Sequence, residues 1–337
     1  MRVAAFTELT GPDGVAVVER DDPEPAAGEA VVDVEACSIN RHDLWILEGD
    51  SAMVDAADLP FVSGLDVAGT VAAVGPDVDG VSAGDRVVLC PNETCGTCRH
   101  CREGPENLCA SFSLYHGGLA ERALVDADRL VALPEGVDAP RAAALPTAYV
   151  TAWHMLRRAD VSAGDLVLVP GATGGVGVAA IQLLDALGAT SIGTSASASK
   201  LSRLADLGAD HLVEAADPDA VAAGVAGIGE PAAVLNHLSG AYTRIGLDLL
   251  ERGGRMVVCG RTAGGVSEFD VPDLFLGHKR VIGSTMGTQG DLERLVGLVA
   301  DGTLDPAVDR EYPLDRTGAA FATMRDREAV GKLVVRP

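Results

Sequence analysis

Residues 165–188 read DLVLVPGATGGVGVAAIQLLDALG, and this stretch decides the fold. An apolar run too short for a helix leads into a cluster of glycines, and an amphipathic segment of helical length follows directly. Strand, glycine turn and helix in that order form the first half of a parallel βαβ unit. Gly171, Gly174, Gly175 and Gly177, with Thr173 and Val176 between them, allow a tight turn, close approach of a pyrophosphate to the backbone, and tight contact between helix and sheet. The helix N-terminus then presents its N–H groups to phosphate charge. A glycine turn kept for packing alone is the weaker reading, because strand and helix flank it on the correct sides.

The next strand selects the dinucleotide. An NAD site places an Asp or Glu about twenty residues beyond the glycines to hold the ribose hydroxyls. Here Gly193 to Lys200 reads GTSASASK, with no acid. Ser195 can donate to a ribose 2′-phosphate and Lys200 can neutralise it, with Arg203 as a second cation, so NADP(H) is the expected cofactor. The alternative is that these serines only cap the following helix, KLSRLADLG.

A second motif lies upstream. Cys95, Cys98, Cys101 and Cys109 form a C-x2-C-x2-C-x7-C run, which lets one loop of about residues 90–112 wrap four thiolates around a tetrahedral zinc. Four sulfurs close the shell, so such a zinc holds structure and cannot polarise a substrate. His100, inside the run, is expected to be exposed rather than a ligand. A disulfide pairing is the alternative, but cysteines so close in a turn-rich loop bridge poorly. Cys37, Cys90 and Cys259 sit in or beside apolar stretches and are expected to be buried, inert thiols.

The chain of 337 residues is long for a single core, which favours two domains. No apolar run reaches membrane-spanning length and the N-terminus lacks a signal-peptide pattern, so a cytoplasmic protein is expected. The formal net charge is -23, from 49 acidic and 26 basic residues, with lysines only at 200, 279 and 332. Such a surface suits concentrated salt, where screening removes self-repulsion, and a halophilic source is expected. Nucleic acid is excluded as a partner by the charge and by the lack of a basic stripe.

Along the chain, VAVVER, EAVVDVEAC, VAGTVAAVG, GDRVVLC and ERALVDADRLVAL read as strands separated by Gly, Pro and Asp turns. From about Ala142 the pattern becomes apolar strands (DLVLVP, TSIGTS, AAVLNHL, GGRMVVCG, RVIGST) alternating with helical segments. The last part holds a helix, DLERLVGLVADG, and a strand, KLVVRP, expected to return to the first domain. The expected domains are therefore residues 1–140 with 286–337, and 141–285.

With these residues in place the chain resembles the medium-chain, zinc-containing dehydrogenases/reductases over nearly its whole length. The matching pieces are Gly84-Asp85-Arg86-Val87, the four-cysteine lobe, the Gly171 to Gly177 loop, and Gly331-Lys332 before the last strand. The resemblance implies an α/β protein: a GroES-like, β-rich catalytic domain, a Rossmann doubly wound parallel sheet for the cofactor, and a homodimer or homotetramer acting on a small molecule. Zinc alcohol dehydrogenases of this family hold a second, catalytic zinc. Here Asn40, Leu65 and a position near Ala143 stand where its ligands are expected, and Asp66 alone does not make a zinc site. Oxidation of an unactivated alcohol needs charge stabilisation that a Lewis acid normally supplies.

The segment Ser38 to Trp45, SINRHDLW, and the glycine loop are similar to the quinone oxidoreductase and enoyl reductase branch. That branch passes hydride from NADPH to an enone, quinone or enoyl thioester. On this resemblance Asn40, beside the nicotinamide, and His42, at the position of the proton-relay hydroxyl, are the catalytic candidates, with Tyr149 a further acid. Arg41, Leu238 and Lys332 are expected to reach the cofactor. Trp45 stands where several quinone reductases carry Tyr, and an indole cannot act as that acid. His42 as a hydrogen-bonded surface histidine, Tyr149 as a packing residue, and Asp43 as a tie for the strand end are the plainer readings. His116 shows no partner in the sequence and is given no role. A zinc alcohol or aldehyde dehydrogenase and a non-catalytic NADPH-binding protein are the alternative functions.

Overall fold

The computed structural model describes all residues 1–337, and the chain divides into two compact units, Met1–Val150 with Gly287–Pro337, and Thr151–Met286. The first junction falls at Val150 rather than at 140, because Ala139–Ala144, Leu145–Tyr149 and Val150–Arg158 form one uninterrupted helical run. Pro146 sits in the wide π-helical turn at Leu145–Tyr149. It lacks an N–H to donate, and the wide turn spares the helix that missing bond.

The first unit is built on a seven-stranded sheet. Val308–Pro313, Lys332–Arg336, Glu29–Ser38, Asp66–Val74, Arg86–Leu89 and Leu130–Ala132 lie side by side in that order, and Arg122–Asp126 pairs with Glu29–Ser38. The last strand of the chain thus pairs antiparallel with Glu29–Ser38, which returns the C-terminal segment to this unit. Glu29–Ser38 is buried along most of its length because register shifts at Val31/Val32 and Val34/Ala36 break its alternation. Phe6, Leu44, Ile46, Leu47 and Phe321 fill the core beneath the sheet. The expected single strand ERALVDADRLVAL is two, divided by a turn at Ala127–Arg129. Arg41–Leu47 is a short helix, not a continuation of the strand before it, and Asp43 serves its first turn by accepting the Asn40 N–H at 2.8 Å. Asp43 therefore starts a helix instead of tying down a strand end.

The second unit is a six-stranded parallel sheet in the order His211–Glu214, Thr190–Ser195, Leu166–Val169, Ala233–Asn236, Arg255–Val258, Arg280–Gly283. Numbered along the chain this is 3-2-1-4-5-6, the doubly wound order whose switch point lies beside the first strand. Its core joins Leu168, Ile192, Val234, Leu247 and Met256 from sheet and helices. Strand His211–Glu214 was not expected: only Val213 of its four residues is buried, so it carries no apolar signature. No helix is long and apolar enough to cross a membrane.

Candidate functional site

In the second unit, strand Leu166–Val169 delivers the chain into the glycine turn, and Gly171 adopts φ +63°, a conformation L side chains rarely take. The Gly171 N–H donates to Thr194 Oγ1 at 3.1 Å, which ties the turn to the neighbouring strand. A Cβ on Gly177 would lie 2.6 Å from Ala172 Cα, so helix Gly175–Leu187 can close on the strand only with glycine there. Around Gly174, by contrast, a Cβ would meet nothing within 4 Å. That open backbone, with no side-chain cap on the helix behind it, is a fit place for a pyrophosphate. At the end of Ala233–Asn236, Asn236 Oδ1 accepts the N–H groups of Leu238 (3.2 Å) and Ser239 (2.9 Å), and Leu238 packs against Gly171. Burial pushes His237 down to about 4, so it is neutral at physiological pH.

Ser195 ends strand Thr190–Ser195, and its Oγ accepts the Ser197 N–H at 3.3 Å. Ser197 and Ser199 hydroxyls lie 3.1 Å apart at the start of helix Ala198–Asp206, with Lys200 in its first turn. Glu214 is the register partner of Ser195 on the adjoining strand and is exposed.

In the first unit the expected catalytic segment is held by a buried polar network. Asp66 accepts from Ser38 Oγ (2.7 Å), Asn40 Nδ2 (2.9 Å), Thr147 Oγ1 (2.6 Å) and Lys332 Nζ (3.2 Å). Lys332, 3% exposed, also donates to Ile39 O at 3.0 Å and Asn40 Oδ1 at 2.5 Å. The three donors of its ammonium are thus all engaged by protein acceptors. Lys332, expected at the cofactor, neutralises Asp66 and locks the Asn40 amide. Tyr149 is fully buried; its oxygen accepts the Ala307 N–H at 2.8 Å and burial raises its pKa, which matches the plainer packing reading. Arg41 opens helix Arg41–Leu47 half-buried, with its proton affinity lowered by burial and by Arg327.

His42 follows Asn40 by two residues, in the first turn of helix Arg41–Leu47, and has an unexpected companion. The rings of His42 and His116 stack at 5.4 Å between centroids, 23° from parallel, and Phe61 meets the edge of His116 at 5.1 Å. Ser63 Oγ lies 3.4 Å from His116 Nδ1 and donates to Asp43 Oδ1 at 2.5 Å, and the Gly64 N–H donates to the same oxygen. The Nε2 atoms of both histidines are buried and find no hydrogen-bond partner. His116 was missed because its partners are 53 and 74 positions away along the chain; only the fold brings Ser63 and His42 to it.

The cysteine lobe hangs on the two-residue pair of strands Asn92–Glu93 and Ser113–Leu114. Its four Sγ atoms all lie within 4.8 Å of one another, with Cys95 to Cys101 at 3.8 Å and Cys98 to Cys101 at 3.5 Å. A tetrahedron with zinc–sulfur bonds of about 2.3 Å has edges of about 3.8 Å, so the set fits a structural zinc. N–H groups of Thr97 and Cys98 point at Cys95 and draw its thiol down to about 6. Burial raises Cys37 well above its ordinary value, Cys90 to about 11 and Cys259 to about 12, as inert thiols require.

A doubly wound sheet with a glycine cradle, joined to a β-rich unit with a four-cysteine lobe, defines a nicotinamide-dependent oxidoreductase. The chain belongs to the medium-chain dehydrogenase/reductase superfamily: residues 26–135 match the alcohol dehydrogenase GroES-like domain and residues 175–301 match the zinc-binding dehydrogenase family. It is 32% identical over 326 residues, 95% of each chain, to an alcohol dehydrogenase of Moraxella sp. (strain TAE123). It is 30% identical over 337 residues, 96% of each chain, to an acryloyl-coenzyme A reductase of Metallosphaera sedula. The structure of a 2-octenoyl-CoA carboxylase reductase in complex with NADP and 2-octenoyl-CoA superposes with a TM-score of 0.89 at 26% identity, over 99% of this chain and 87% of that one.

Proposed function

We propose that this protein is an NADPH-dependent reductase of an activated C=C bond or a quinone, acting without a catalytic zinc, with enoyl thioesters the leading substrate class. The observation that carries the reading is the Asn40 environment. Where zinc alcohol dehydrogenases are expected to carry ligands, this chain has Asn40, bound through both ends of its amide to Asp66 and Lys332, together with apolar Leu65 and an apolar position near Ala143. Neither hydrocarbon side chain offers a ligand atom, and the Asn40 amide oxygen is already held by Lys332. The relatives that reduce acryloyl-coenzyme A support the thioester class.

Reduced nicotinamide, when bound, supplies the hydride. Asn40 keeps one amide N–H beyond the one given to Asp66, and Lys332 fixes its oxygen, so that N–H can donate to the substrate carbonyl oxygen as charge develops there. His42 supplies the proton. Ser195, Ser197 and Ser199 with Lys200 support a 2′-phosphate, hence NADPH over NADH. The four cysteines would hold one zinc per chain, which shapes the lobe. For a homodimer or homotetramer, the exposed apolar residues Val271, Phe275, Leu276 and Val281, beside and on edge strand Arg280–Gly283, offer a surface for a second copy. None of the seven cysteines is in a disulfide, in keeping with a reducing cytoplasm.

The test is NADPH oxidation, in high salt, against acryloyl-CoA, crotonyl-CoA and a benzoquinone, beside NADP+ reduction with simple alcohols. Turnover of an activated acceptor is expected; alcohol oxidation alone favours the second reading, a zinc-dependent alcohol dehydrogenase, for which the Moraxella relative speaks.

A further inference from the structure

The reductase reading needs a proton source, and the stacked histidines of the first unit have features that His42 alone does not. The hydroxyl of Ser63 has one hydrogen, and it is directed to Asp43 Oδ1 at 2.5 Å. Ser63 can therefore only accept from His116, which fixes the His116 proton on Nδ1 and leaves Nε2 with its lone pair. Asp43 itself is fully buried and held by the Ser63 hydroxyl and the N–H groups of Asn40 and Gly64. A carboxylate reached through one hydroxyl stabilises a positive charge on His116 when its Nε2 takes a proton. The ring of His42, 5.4 Å away, opposes a second positive charge beside it.

The pair also has a way to reload. His116 lines a cavity of about 210 Å³ bordered by Asn92, Glu93, Tyr115, Asp126 and Arg129. The cavity is open on one side to solvent and carries carboxylates that attract protons from bulk water. Burial lowers the proton affinity of His116, Asp43 and Glu93 raise it, and His42 lowers it. Arg129 and Tyr115 face the same cavity, and Asp126 holds its proton more readily than an ordinary carboxyl because of burial and of Asp128, Glu93 and Glu29.

We propose that His42 and His116 act as one acid, a stacked pair that holds a single proton, takes it up from solvent through the cavity His116 lines, and releases it to the substrate carbon that hydride addition has made basic. In that step hydride from the reduced nicotinamide adds to the β-carbon and the C=C π electrons become the enolate. An Nε2–H bond of the pair then breaks, a C–H bond forms at the α-carbon, and the neutral pair recovers its proton from water. Asp43 and Ser63 are positioning residues that set the His116 tautomer. This inference rests on the reductase reading.

Two measurements on the full-length protein test it. The first follows the histidine ring protons by NMR against pH, with no substrate or cofactor added. His42→Gln is expected to raise the midpoint of His116 by roughly one pH unit, and Ser63→Ala to lower it. The second is the pH profile and solvent isotope effect of acryloyl-CoA reduction by NADPH. His116→Gln is expected to lower kcat at least roughly tenfold with KM nearly unchanged, to move the alkaline limb of the profile, and to enlarge the isotope effect. If the wild-type enzyme reduces acryloyl-CoA and His116→Gln leaves both profile and isotope effect unchanged, the paired acid is overturned. A His116 midpoint that ignores His42→Gln overturns it equally, with or without turnover. If the wild type reduces no activated acceptor while the NMR couplings hold, it is the substrate reading that fails and the shared proton that stands.

Discussion

Two buried polar clusters flank Asn40, and they differ in completeness. Around Asp66 the groups are answered: four donors reach the carboxylate, and the three donors of Lys332 each find an acceptor. Around His116 the line from Asp43 through Ser63 ends at two imidazole Nε2 atoms that are buried and unbonded. A satisfied network resists change and specifies one arrangement of the chain. An unsatisfied one costs stability and keeps polar atoms available for chemistry. The first cluster holds the Asn40 amide in place, and the second is the proton source in the proposed reaction.

The contrast is open to breaking from either side. The largest effect is expected from Lys332→Met, which leaves Asp66 charged and unneutralised in the interior: about 3–5 kcal/mol of stability lost, measured by denaturant unfolding. Adding Asp66→Asn to that variant should restore part of the loss. In the second unit His237 is a buried base with no carboxylate behind it, and its folded pKa of about 4 lies below the usual 6.5. The unfolded chain therefore binds the extra proton first. Stability is intact above pH 6.5 and should fall by up to about 3 kcal/mol between pH 6.5 and 4. His237→Gln should flatten that part of the pH–stability curve.

Smaller effects sharpen the picture. Ser195→Asp is expected to shift the NADPH to NADH preference in kcat/KM by about tenfold or more toward NADH, since a carboxylate would repel the 2′-phosphate. An unchanged ratio would mean the serines only start their helix. Tyr149→Phe should cost about 1 kcal/mol through the lost Ala307 hydrogen bond and leave the pH profile of catalysis untouched. The smallest stability change, within about 0.5 kcal/mol, is expected for His42→Gln, because the Nε2 it removes makes no hydrogen bond. That variant should nevertheless lose most of its turnover.

What could be read from the sequence follows from how local each signal is. The glycine turn, the cysteine run and the strands around them are contiguous, so residues 165–188 and 95–109 already specified their local structure. Leu238 was placed by resemblance, and the turn pinned by Asn236 brings it against Gly171. The partners of Lys332 and Tyr149 were not legible, because a residue's type does not reveal them: Asp66 and Ala307 are far along the chain. His116 carried no signal at all for the same reason. Helix Arg41–Leu47 was missed because, at 7 residues, it is too short to show helical periodicity. The domain junction falls later than the change of pattern near Ala142 because the helical run continues through the wide turn at Leu145–Tyr149.

Whether hydride transfer proceeds without a zinc at Asn40 is decided by the zinc content per chain of protein that is actively reducing acryloyl-CoA. One zinc per chain, lost on Cys95→Ala, with no oxidation of simple alcohols, is expected. Two zincs per chain, with alcohol oxidation that disappears when the second is removed, would contradict it.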